Sequence, residues 1–490
     1  MDLKVKLLNW SAGIPVAMLN EETAKKMGAH LKERVSIKTS SKEMSMIIDT
    51  AGSLIKKNEI AVSSEIKQIL GLKEHQAVEV NLVQSTKSLE YIKKKLNKFR
   101  LSEREIKVIV KDIVANALSE SEIALFVSAM YKYGMNMKET IFMIKAMYET
   151  GNRLILKSDF VADKHSIGGI AGNRTTPIVV SICASAGLVM PKTSSRAITS
   201  AAGTADVIET IAKVDFSIKE LKEIIKKTNA CMIWGGSIGF APADSQIIQI
   251  EKVLNIDPES QLLASIMAKK LAVGSKYILI DIPYGKSAKV SKKKAVALKK
   301  KFEFLGGYFH KKLKCVLTDG SQPIGNGIGP VLELMDIIAI LNQKEKGPED
   351  LEKKSLFLSG QLLEMTGKAK KGQGEKMAQK ILYSGKAFEK FKQIIKAQHG
   401  SLKKIKLSRI KKEILSTHNG RILEIDNKKI NSLARAAGCP ADKSSGVYLH
   451  LHVGGKVRKG DALLTIYSES KNRLNDAVRF YKDNKIIKIG

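Results

Sequence analysis

Apolar residues recur at helical spacing through the segment from about residue 86 to residue 155. The stretches LSEREIKVIVKDIVAN, LSESEIALFVSAMYKYG and NMKETIFMIKAMYETG each carry such a stripe. The first two open on serine with a glutamate shortly after, which is typical of a helix N-terminus, and the third ends at Gly151. The pattern predicts a small helical domain over residues 85–155.

Strand-like alternation and an internal repeat characterise residues 1–84. LNEETAKKMGAHLKERVSIK and VSSEIKQILGLKEHQAVEV each show a short helix, a glycine (Gly28 or Gly71) and then an alternating apolar strand. In both repeats the first strand valine, Val35 or Val78, follows the glycine by the same number of residues. Two such halves predict a pseudo-twofold β-barrel, and the segment contains no acid–base constellation. We therefore expect it to serve assembly.

Strands and helices alternate from residue 156 onward. The apolar strands FVADKHS, ACMIWGG and YILIDIP are separated by helical stretches, which is typical of an α/β domain with a mainly parallel sheet. A lysine-rich helical segment continues this domain to residue 414, and short strands with turns follow to the end of the chain. We predict a central α/β domain over 156–414 and a C-terminal α+β domain over 415–490.

The segment 163–209 concentrates anion donors at the carboxyl end of a predicted strand. Lys164 and Ser166 precede a turn containing Gly168, Gly169 and Gly172, and a helix follows. A glycine turn that leads into a helix directs unpaired N–H groups outward, and ligands of open α/β sheets bind at this edge. The pattern predicts a phosphate site.

The start of that helix is marked by Thr176 and Pro177, and Gly187 marks its end. Threonine is a favoured N-cap and proline a favoured first helical residue, so we expect Thr176 to cap the helix.

A second group of donors follows in the stretch SSRAITSAAGTAD. It combines the hydroxyls of Ser195, Thr199, Ser200 and Thr204 with the guanidinium of Arg196. The spacing matches neither a Walker loop nor a Rossmann fingerprint. A tight strand-to-helix turn followed by a polar loop would explain the glycines alone equally well.

Composition places the chain among globular proteins with several domains. It has 490 residues, 44% of them hydrophobic, and no long apolar run or secretory leader, so we expect a soluble cytoplasmic protein. Its four cysteines are scattered, which argues against a zinc site or a disulfide framework. The net charge of +34 would suit nucleic-acid binding, but 5% aromatic residues and no recognition motif favour a solvated lysine surface.

The motifs KHSIGGIAGNRTTP, SSRAITSAAGTAD and IDPESQLLASIMAKKLAVGSKYILIDIPYG resemble the archaeal AMP phosphorylases, a branch of the thymidine phosphorylase family. The resemblance covers essentially the whole chain. It implies phosphorolysis of AMP to adenine and ribose 1,5-bisphosphate, with CMP and UMP as further substrates and no metal or organic cofactor. It also implies a homo-oligomer assembled through the N-terminal domain, and a helix over 257–273 that joins the helical domain in space.

The resemblance also implies roles for individual residues. Asp257 corresponds to the proposed proton donor to the leaving base, and Ser265 corresponds to a nucleotide contact. The residues expected to bind AMP or phosphate are Lys164, Ser166, Gly169, Ser195, Arg196, Ala197, Ile198, Thr199, Ser200, Thr204, Ser265, Lys269 and Lys289.

Asp257 has a second interpretation, because it precedes Pro258 and a helical stretch. An aspartate at this place is a favoured N-cap, and capping stabilises the carboxylate, whereas an acid at neutral pH needs a raised pKa. Lys269 and its neighbour Lys270 could equally be solvated.

Three alternatives to AMP phosphorolysis remain. Thymidine phosphorylases read the pyrimidine with an arginine whose place here falls at Ile250, which disfavours strict thymine recognition but leaves a pyrimidine nucleoside phosphorylase open. Anthranilate phosphoribosyltransferase shares the fold plan, but it would need magnesium, and no acidic metal cluster is evident in this loop. A non-catalytic nucleic-acid-binding protein would account for the charge alone.

Overall fold

The computed structural model describes residues 1–8, 10–11, 15–31, 33–40, 42–83, 87–197 and 200–490. The chain forms two compact units, one of residues 1–150 with 241–265 and the other of residues 151–240 with 266–490. Within the described ranges, no helix is both long enough and apolar enough to cross a membrane.

Helices account for much of both units. They are α1 Glu21–Met27, α2 Ser64–Leu70, α3 Lys87–Leu96, α4 Glu103–Val114, α5 Glu120–Tyr133, α6 Met137–Glu149, α7 Thr175–Ser185, α8 Thr204–Glu209, α9 Ile218–Thr228, α10 Gly235–Ile238, α11 Pro242–Leu254, α12 Glu259–Ala272, α13 Lys292–Tyr308, α14 Pro330–Asn342, α15 Glu349–Met365, α16 Gly374–Tyr383, α17 Lys386–Ala397, α18 Asn427–Ala436 and α19 Lys471–Asp483.

The strands are shorter. They are β1 Asp2–Leu7, β2 Val16–Leu19, β3 Arg34–Lys38, β4 Glu43–Thr50, β5 Glu59–Val62, β6 Ala77–Leu82, β7 Ala162–Ser166, β8 Met190–Ser194, β9 Ala230–Trp234, β10 Tyr277–Tyr284, β11 Lys312–Asp319, β12 Gly327–Ile328, β13 Ile410–Leu415, β14 Gly420–Ile425, β15 Gly446–Leu449, β16 Lys456–Val457, β17 Ala462–Ser468 and β18 Ile487–Ile489.

The N-terminal strands close into a six-stranded barrel in the order β1-β5-β2-β4-β3-β6. The two halves of the repeat have matching geometry, since Gly28 ends α1 with φ 69° and Gly71 ends α2 with φ 68°. A left-handed residue at this position is readily supplied by glycine, which lacks a Cβ. The predicted pseudo-twofold barrel is confirmed.

The helical part of the first unit is built from α3 to α6 and α11. Helices α4, α5 and α6 begin with capping boxes formed by the pairs Ser102/Glu105, Ser119/Glu122 and Asn136/Glu139. Helix α11 packs against α4, α5 and α6. The predicted helical domain is confirmed, and α4 and α5 begin at the serines where the sequence pattern places their starts.

The second unit has a central parallel sheet. Strands β11, β10 and β7 pair in that order, and β8 pairs in parallel with β9. A bridge between Val161 and Val189 joins the two groups. Helices α7, α14, α15, α16 and α17 contribute to the apolar core beside this sheet. The mainly parallel α/β domain predicted from the alternation is confirmed.

The C-terminal part of the second unit combines two small sheets with α18 and α19. One sheet has the order β12-β15-β17-β13, and the other has the order β16-β14-β18. Strand β12 follows the central sheet in sequence and pairs with β15, so it belongs to a sheet of the C-terminal α+β domain. This architecture also matches the prediction.

The structure differs from the sequence prediction at the start of α7 and at the segment that returns to the first unit. Helix α7 begins at Thr175 with Arg174 at the N-cap position, so the prediction that Thr176 caps it is wrong. Residues 241–265 group with the first unit, so the returning segment begins before the 257–273 helix and ends within it. The exact domain boundaries proposed from the sequence stay predictions.

Candidate active site

Lys164 lies on β7 near the carboxyl end of the parallel sheet and is completely enclosed. Its Nζ donates to Thr175 Oγ1 at 2.6 Å, at the start of α7. Burial lowers the pKa of Lys164 to about 7; the negative charge of Asp281 opposes this shift, and Lys354 and Lys192 reinforce it. An anion beside this ammonium group would favour its charged form.

The glycine turn after β7 has a left-handed backbone at both Gly168 and Gly169. Gly168 and Gly169 have φ values of 84° and 90°, and Gly168 N–H lies 3.5 Å from Ser166 Oγ. A Cβ on Gly169 would lie 2.6 Å from Lys289 Cβ, so glycine permits this close approach of the two segments. The structure therefore brings Gly169 and Lys289 together, although Lys289 is distant in sequence and exposed.

The second donor loop is held by a carboxylate and a guanidinium. Asp206 Oδ2 accepts from Ala197 N–H at 2.6 Å and from Gly203 N–H at 2.8 Å. Arg174 donates to Thr204 Oγ1 at 3.1 Å and to Ala202 O at 2.7 Å, and its Nε donates to Glu333. Arg174 thus connects the loop before α7 to the loop before α8.

Other predicted residues of this loop make local contacts. Arg196 donates to Glu209 Oε1 at 2.6 Å and stacks on the Trp234 ring at 4.4 Å. Ser200 donates its hydroxyl to Ala202 O at 2.8 Å, and Ser195 is exposed. The predicted residues Ile198 and Thr199 lie outside the described residues.

A cluster of buried charges lies around Lys164. Asp163 pairs with Lys270 at 2.6 Å and with Lys192 at 3.2 Å, while Lys192 Nζ also donates to the Lys164 carbonyl. Asp281 accepts from Thr318 and lies 3.1 Å from Lys354 Nζ. Lys192 and Lys270 pair with Asp163, and Lys354 pairs with Asp281, while Lys164 Nζ is bonded to Thr175. The cluster therefore holds an excess of lysine side chains over carboxylates.

That excess affects the neighbouring side chains. Burial lowers the pKa of His165 well below 6.5, and the charges of Lys270 and Lys192 lower it further. His165 is therefore neutral at pH 7 and is not a source of protons there. The same enclosure lowers the pKa of Lys270 to about 7 although Asp163 opposes the shift, so the expectation that Lys270 could be solvated is wrong.

The residues predicted to contact the nucleotide and its leaving base lie around α12. Asp257 is exposed and lies two residues before the start of α12, while Ser265 and Lys269 are half-buried on that helix. Asp257 and Ser265 belong to the first unit, and Lys269 and the phosphate-loop residues belong to the second. Both interpretations of Asp257, proton donor and helix cap, stay predictions.

Sequence reasoning missed the side chains that support the loops. Asp163, Lys192 and Asp281 lie within or beside apolar strand runs, and parallel strands are usually covered on both faces. A charged residue inside such a strand is therefore a signal for a buried ion pair. Arg174 and Asp206 carried no comparable signal, because their partners are distant in sequence.

No group of three or more His, Cys, Asp and Glu side chains suited to a metal occurs in the described part of the chain. His450 and His452, which alternate in sequence, contact Thr465 Oγ1 at 2.8 Å and Asn326 Oδ1 at 2.9 Å. Both rings therefore have partners within the protein.

Comparison with known domain families matches three parts of the chain. Residues 89–151 match the glycosyl transferase family helical bundle domain, and residues 158–388 match the glycosyl transferase family a/b domain. Residues 422–488 match the pyrimidine nucleoside phosphorylase C-terminal domain. A solved anthranilate phosphoribosyltransferase from Thermus thermophilus is 17% identical, with a TM-score of 0.52, and the match covers 63% of this chain and 99% of that one. That likeness concerns the fold alone.

Similarity to full-length relatives is much higher. AMP phosphorylase from Pyrococcus abyssi is 46% identical over 100% of this chain and 98% of its own. AMP phosphorylases from Methanococcus aeolicus and Thermococcus kodakarensis are each 42% identical, over 99% and 100% of this chain and 97% and 98% of their own. With this similarity across all the domains, the chain belongs to the AMP phosphorylase family of nucleoside phosphorylases.

Proposed function

We propose that this chain catalyses the reversible phosphorolysis of AMP, giving adenine and ribose 1,5-bisphosphate in nucleotide salvage or degradation. The observation that supports this assignment is the excess of buried positive charge around Lys164, on the strand that leads into the glycine turn. Enclosed lysine side chains that outnumber their carboxylate partners favour an anion at this place, because the anion stabilises the charged form of a lysine whose pKa is about 7. The family assignment makes inorganic phosphate the natural anion.

The proposed reaction exchanges one bond at C1′ of the ribose for another. An oxygen of inorganic phosphate bonds to C1′, the N-glycosidic bond breaks, and its electron pair leaves with the base, which takes up a proton. Fixed donors stabilise the charges that develop, and binding holds the phosphate in line with C1′. Inorganic phosphate is a co-substrate, and we propose that the reaction needs neither a metal nor an organic cofactor.

Two groups of residues would hold the two phosphates. Lys164, Ser166, Gly169 and Thr204 are assigned to inorganic phosphate. The loop containing Ser195, Arg196 and Thr199 is assigned to the 5′-phosphate, with Ala197, Ile198 and Ser200 in the same loop. Ser265, Lys269 and Lys289 complete the proposed substrate contacts, and Asp257 is the proposed proton donor.

The assay that tests the function supplies inorganic phosphate with AMP, CMP, UMP, thymidine or uridine in separate reactions and measures free base and sugar phosphate. Adenine together with ribose 1,5-bisphosphate is the expected result. Release of base from the nucleosides alone would replace the proposal with a pyrimidine nucleoside phosphorylase. RNA binding that weakens steeply with salt, with no turnover, would indicate the nucleic-acid-binding alternative.

Lys164→Met and Lys276→Met form a matched pair for this assay. Both remove a lysine, but Lys276 lies at the surface, 2.6 Å from Asp159. We expect Lys164→Met to lose phosphorolysis and Lys276→Met to retain it. Phosphorolysis by Lys164→Met at the level of Lys276→Met and of the wild type would contradict the placement of phosphate beside Lys164.

The role of Asp257 can be tested by replacing it with asparagine, which keeps the shape and removes the acid. A proton donor predicts a large loss of turnover with little change in melting temperature. Because asparagine caps a helix about as well as aspartate does, the helix-cap interpretation predicts that Asp257→Asn retains both turnover and melting temperature, and that Asp257→Ala lowers the melting temperature with turnover retained.

We also propose a homo-oligomer assembled through the N-terminal barrel. Light scattering of the full chain and of a chain without residues 1–84 tests this, because the truncated chain should have a smaller assembly. A cytoplasmic location, and the lack of any specific nucleic-acid partner, stay predictions from the sequence.

A further inference from the structure

Helix α18 places two buried asparagines one turn apart, Asn427 and Asn431. Neither belongs to the sequence motifs that suggested the active site, and both are enclosed, with Asn427 fully buried. Residues four apart lie on the same face of a helix, so both side chains emerge in one direction. Their amide groups reach two different loops.

Asn427 contacts the segments that carry the predicted phosphate turn. Its Oδ1 accepts from Ala171 N–H at 3.1 Å, two residues after Gly169. Its Nδ2 donates to Ser287 Oγ and to Gly320 O, each at 3.1 Å. Because Ser287 is two residues before Lys289, Asn427 fixes both chain segments that approach each other at Gly169.

Asn431 contacts the second donor loop. Its Oδ1 accepts from Ala201 N–H at 2.9 Å, between the proposed 5′-phosphate contacts and Thr204. Its Nδ2 donates to the carbonyl of Asn427 at 2.9 Å, which links the two asparagines. Lys443 supports the same loop from the C-terminal part of the chain, since its Nζ lies 3.1 Å from Asp206 Oδ1 and 3.0 Å from Glu209 Oε2.

These contacts use both polar atoms of each amide in an interior where an unpaired group is unfavourable. Removing Asn427 would leave the Ala171 N–H and the Gly320 carbonyl without this partner, whereas removing Asn431 would leave the Ala201 N–H without its partner. Each change would therefore release the loop on its own side of the site. Neither side chain carries a charge, and each acts through backbone amides of the loop it holds.

We propose that Asn427 and Asn431 are positioning residues that set the two phosphate-binding loops from one rigid helix, Asn427 for inorganic phosphate and Asn431 for the 5′-phosphate of the nucleotide. This inference rests on the proposed function. It gives the C-terminal domain a role in substrate binding, because one helix turn fixes the spacing between the two anion sites.

The test is steady-state kinetics of Asn427→Ala and Asn431→Ala, with Ser432→Ala as the matched control. Ser432 lies on the same helix, is exposed, and donates its hydroxyl to the Lys428 carbonyl of the preceding turn. We expect Asn427→Ala to raise the KM for phosphate about tenfold and Asn431→Ala to raise the KM for AMP about tenfold, which is the effect of losing one well-placed hydrogen bond. The KM for AMP of Asn427→Ala and the KM for phosphate of Asn431→Ala should stay close to the wild-type values. Both KM values of Ser432→Ala should also stay close to wild type.

Thermal stabilisation by inorganic phosphate alone and by AMP alone provides a second readout that does not depend on turnover. Each alanine variant should lose stabilisation by one ligand and retain it for the other. If Asn427→Ala does not fold, Asn427→Ser replaces it with a small polar side chain, and Asn431→Ala still tests the second loop.

Equal changes in both KM values, a lower melting temperature without any KM change, or the opposite pairing of residues and ligands would overturn the inference. Failure of the wild-type protein to release adenine from AMP would instead contradict the proposed function. The two failures are therefore distinguishable in the same set of measurements.

Discussion

Lys164 shows how a single residue can make anion binding depend on pH. Its pKa of about 7 means that the free protein loses this positive charge as the pH rises through neutrality. A bound anion stabilises the charged form, so binding above pH 7 requires uptake of a proton.

We therefore predict that the affinity for sulfate falls as the pH rises above about 7, by up to about tenfold per pH unit. Sulfate keeps its charge over this range, so the protein alone titrates. Calorimetric titration of wild type and Lys164→Met at several pH values checks this. A dependence of equal size in the variant would assign the proton to another group.

Alanine substitutions at Gly169 and Gly168 distinguish the steric collision of an added Cβ from the backbone cost of a positive φ. Both have positive φ, but a Cβ on Gly168 has no neighbour within 4 Å, whereas one on Gly169 would lie 2.6 Å from Lys289 Cβ and 2.8 Å from Lys289 N. Gly169→Ala should therefore reduce kcat/KM by more than about tenfold, while Gly168→Ala should show mainly the backbone cost of about 1 kcal/mol in stability. Kinetics and thermal melting of both variants provide the comparison, and equal kinetic losses would argue against the collision.

The sequence revealed the individual residues of the predicted phosphate site but not the side chains that surround them. Lys164, Ser166 and Gly169 form a recognisable local pattern, and their places in the strand and turn could be predicted. The enclosure of Lys270 could not be predicted, because a lysine on a helix is equally compatible with a solvated surface. Only the packing of distant strands and helices decides its environment.

Among the secondary-structure elements, α6 shows a cap that also neutralises a buried charge. Glu139 accepts from Asn136 N–H at 2.9 Å, completing the capping box, and from Lys95 Nζ at 2.8 Å. It also accepts from Leu101 N–H at 3.0 Å, and it is almost completely buried. One carboxylate therefore joins α3, the segment before α4, and the start of α6.

Glu139→Ala should destabilise the first unit by about 3–5 kcal/mol, because it leaves the Lys95 ammonium group buried without its carboxylate. Glu103→Ala is the matched control: its partner Lys145 lies 3.3 Å away at the surface, and we expect a change below about 1 kcal/mol. Urea unfolding followed by circular dichroism measures both. Similar destabilisation by the two substitutions would contradict the importance of burial.

The presence of each helix could be predicted from the sequence more reliably than the residue at which it begins. The capping boxes of α4 and α5 were visible as serine–glutamate pairs, and α7 was predicted with the wrong cap. Thr175 uses its hydroxyl as the acceptor for Lys164 Nζ, and the helix starts at that residue. A tertiary contact thus replaces the local capping pattern that Thr176 and Pro177 suggested.

For the whole molecule, buried lysines give stability a characteristic pH dependence. Lys270 has a pKa of about 7 in the folded protein and about 10.4 when unfolded, so the unfolded chain binds more protons between these values. The contribution of Lys270 to the free energy of unfolding should therefore rise with pH from about 7 to about 10 and be flat below that range.

Lys270→Met should remove this contribution, so that wild type gains up to about 1.4 kcal/mol per pH unit relative to the variant. Denaturant unfolding of both proteins at about pH 7 and about pH 9 measures the difference, and all other titrating groups cancel to first order. A wild-type advantage that shrinks as the pH rises would show that the Lys270 pKa is not lowered.

The interrupted first unit has a consequence for how the protein is made. Its two segments are separated by residues 151–240, and α11, which packs on α4, α5 and α6, lies in the second segment. A ribosome delivers the chain from its N-terminus, so α4, α5 and α6 emerge before their partner helix exists. The barrel can close early, but the bundle must wait with an uncovered apolar face until α11 has been synthesised, and this interval is when a nascent chain would most need a chaperone.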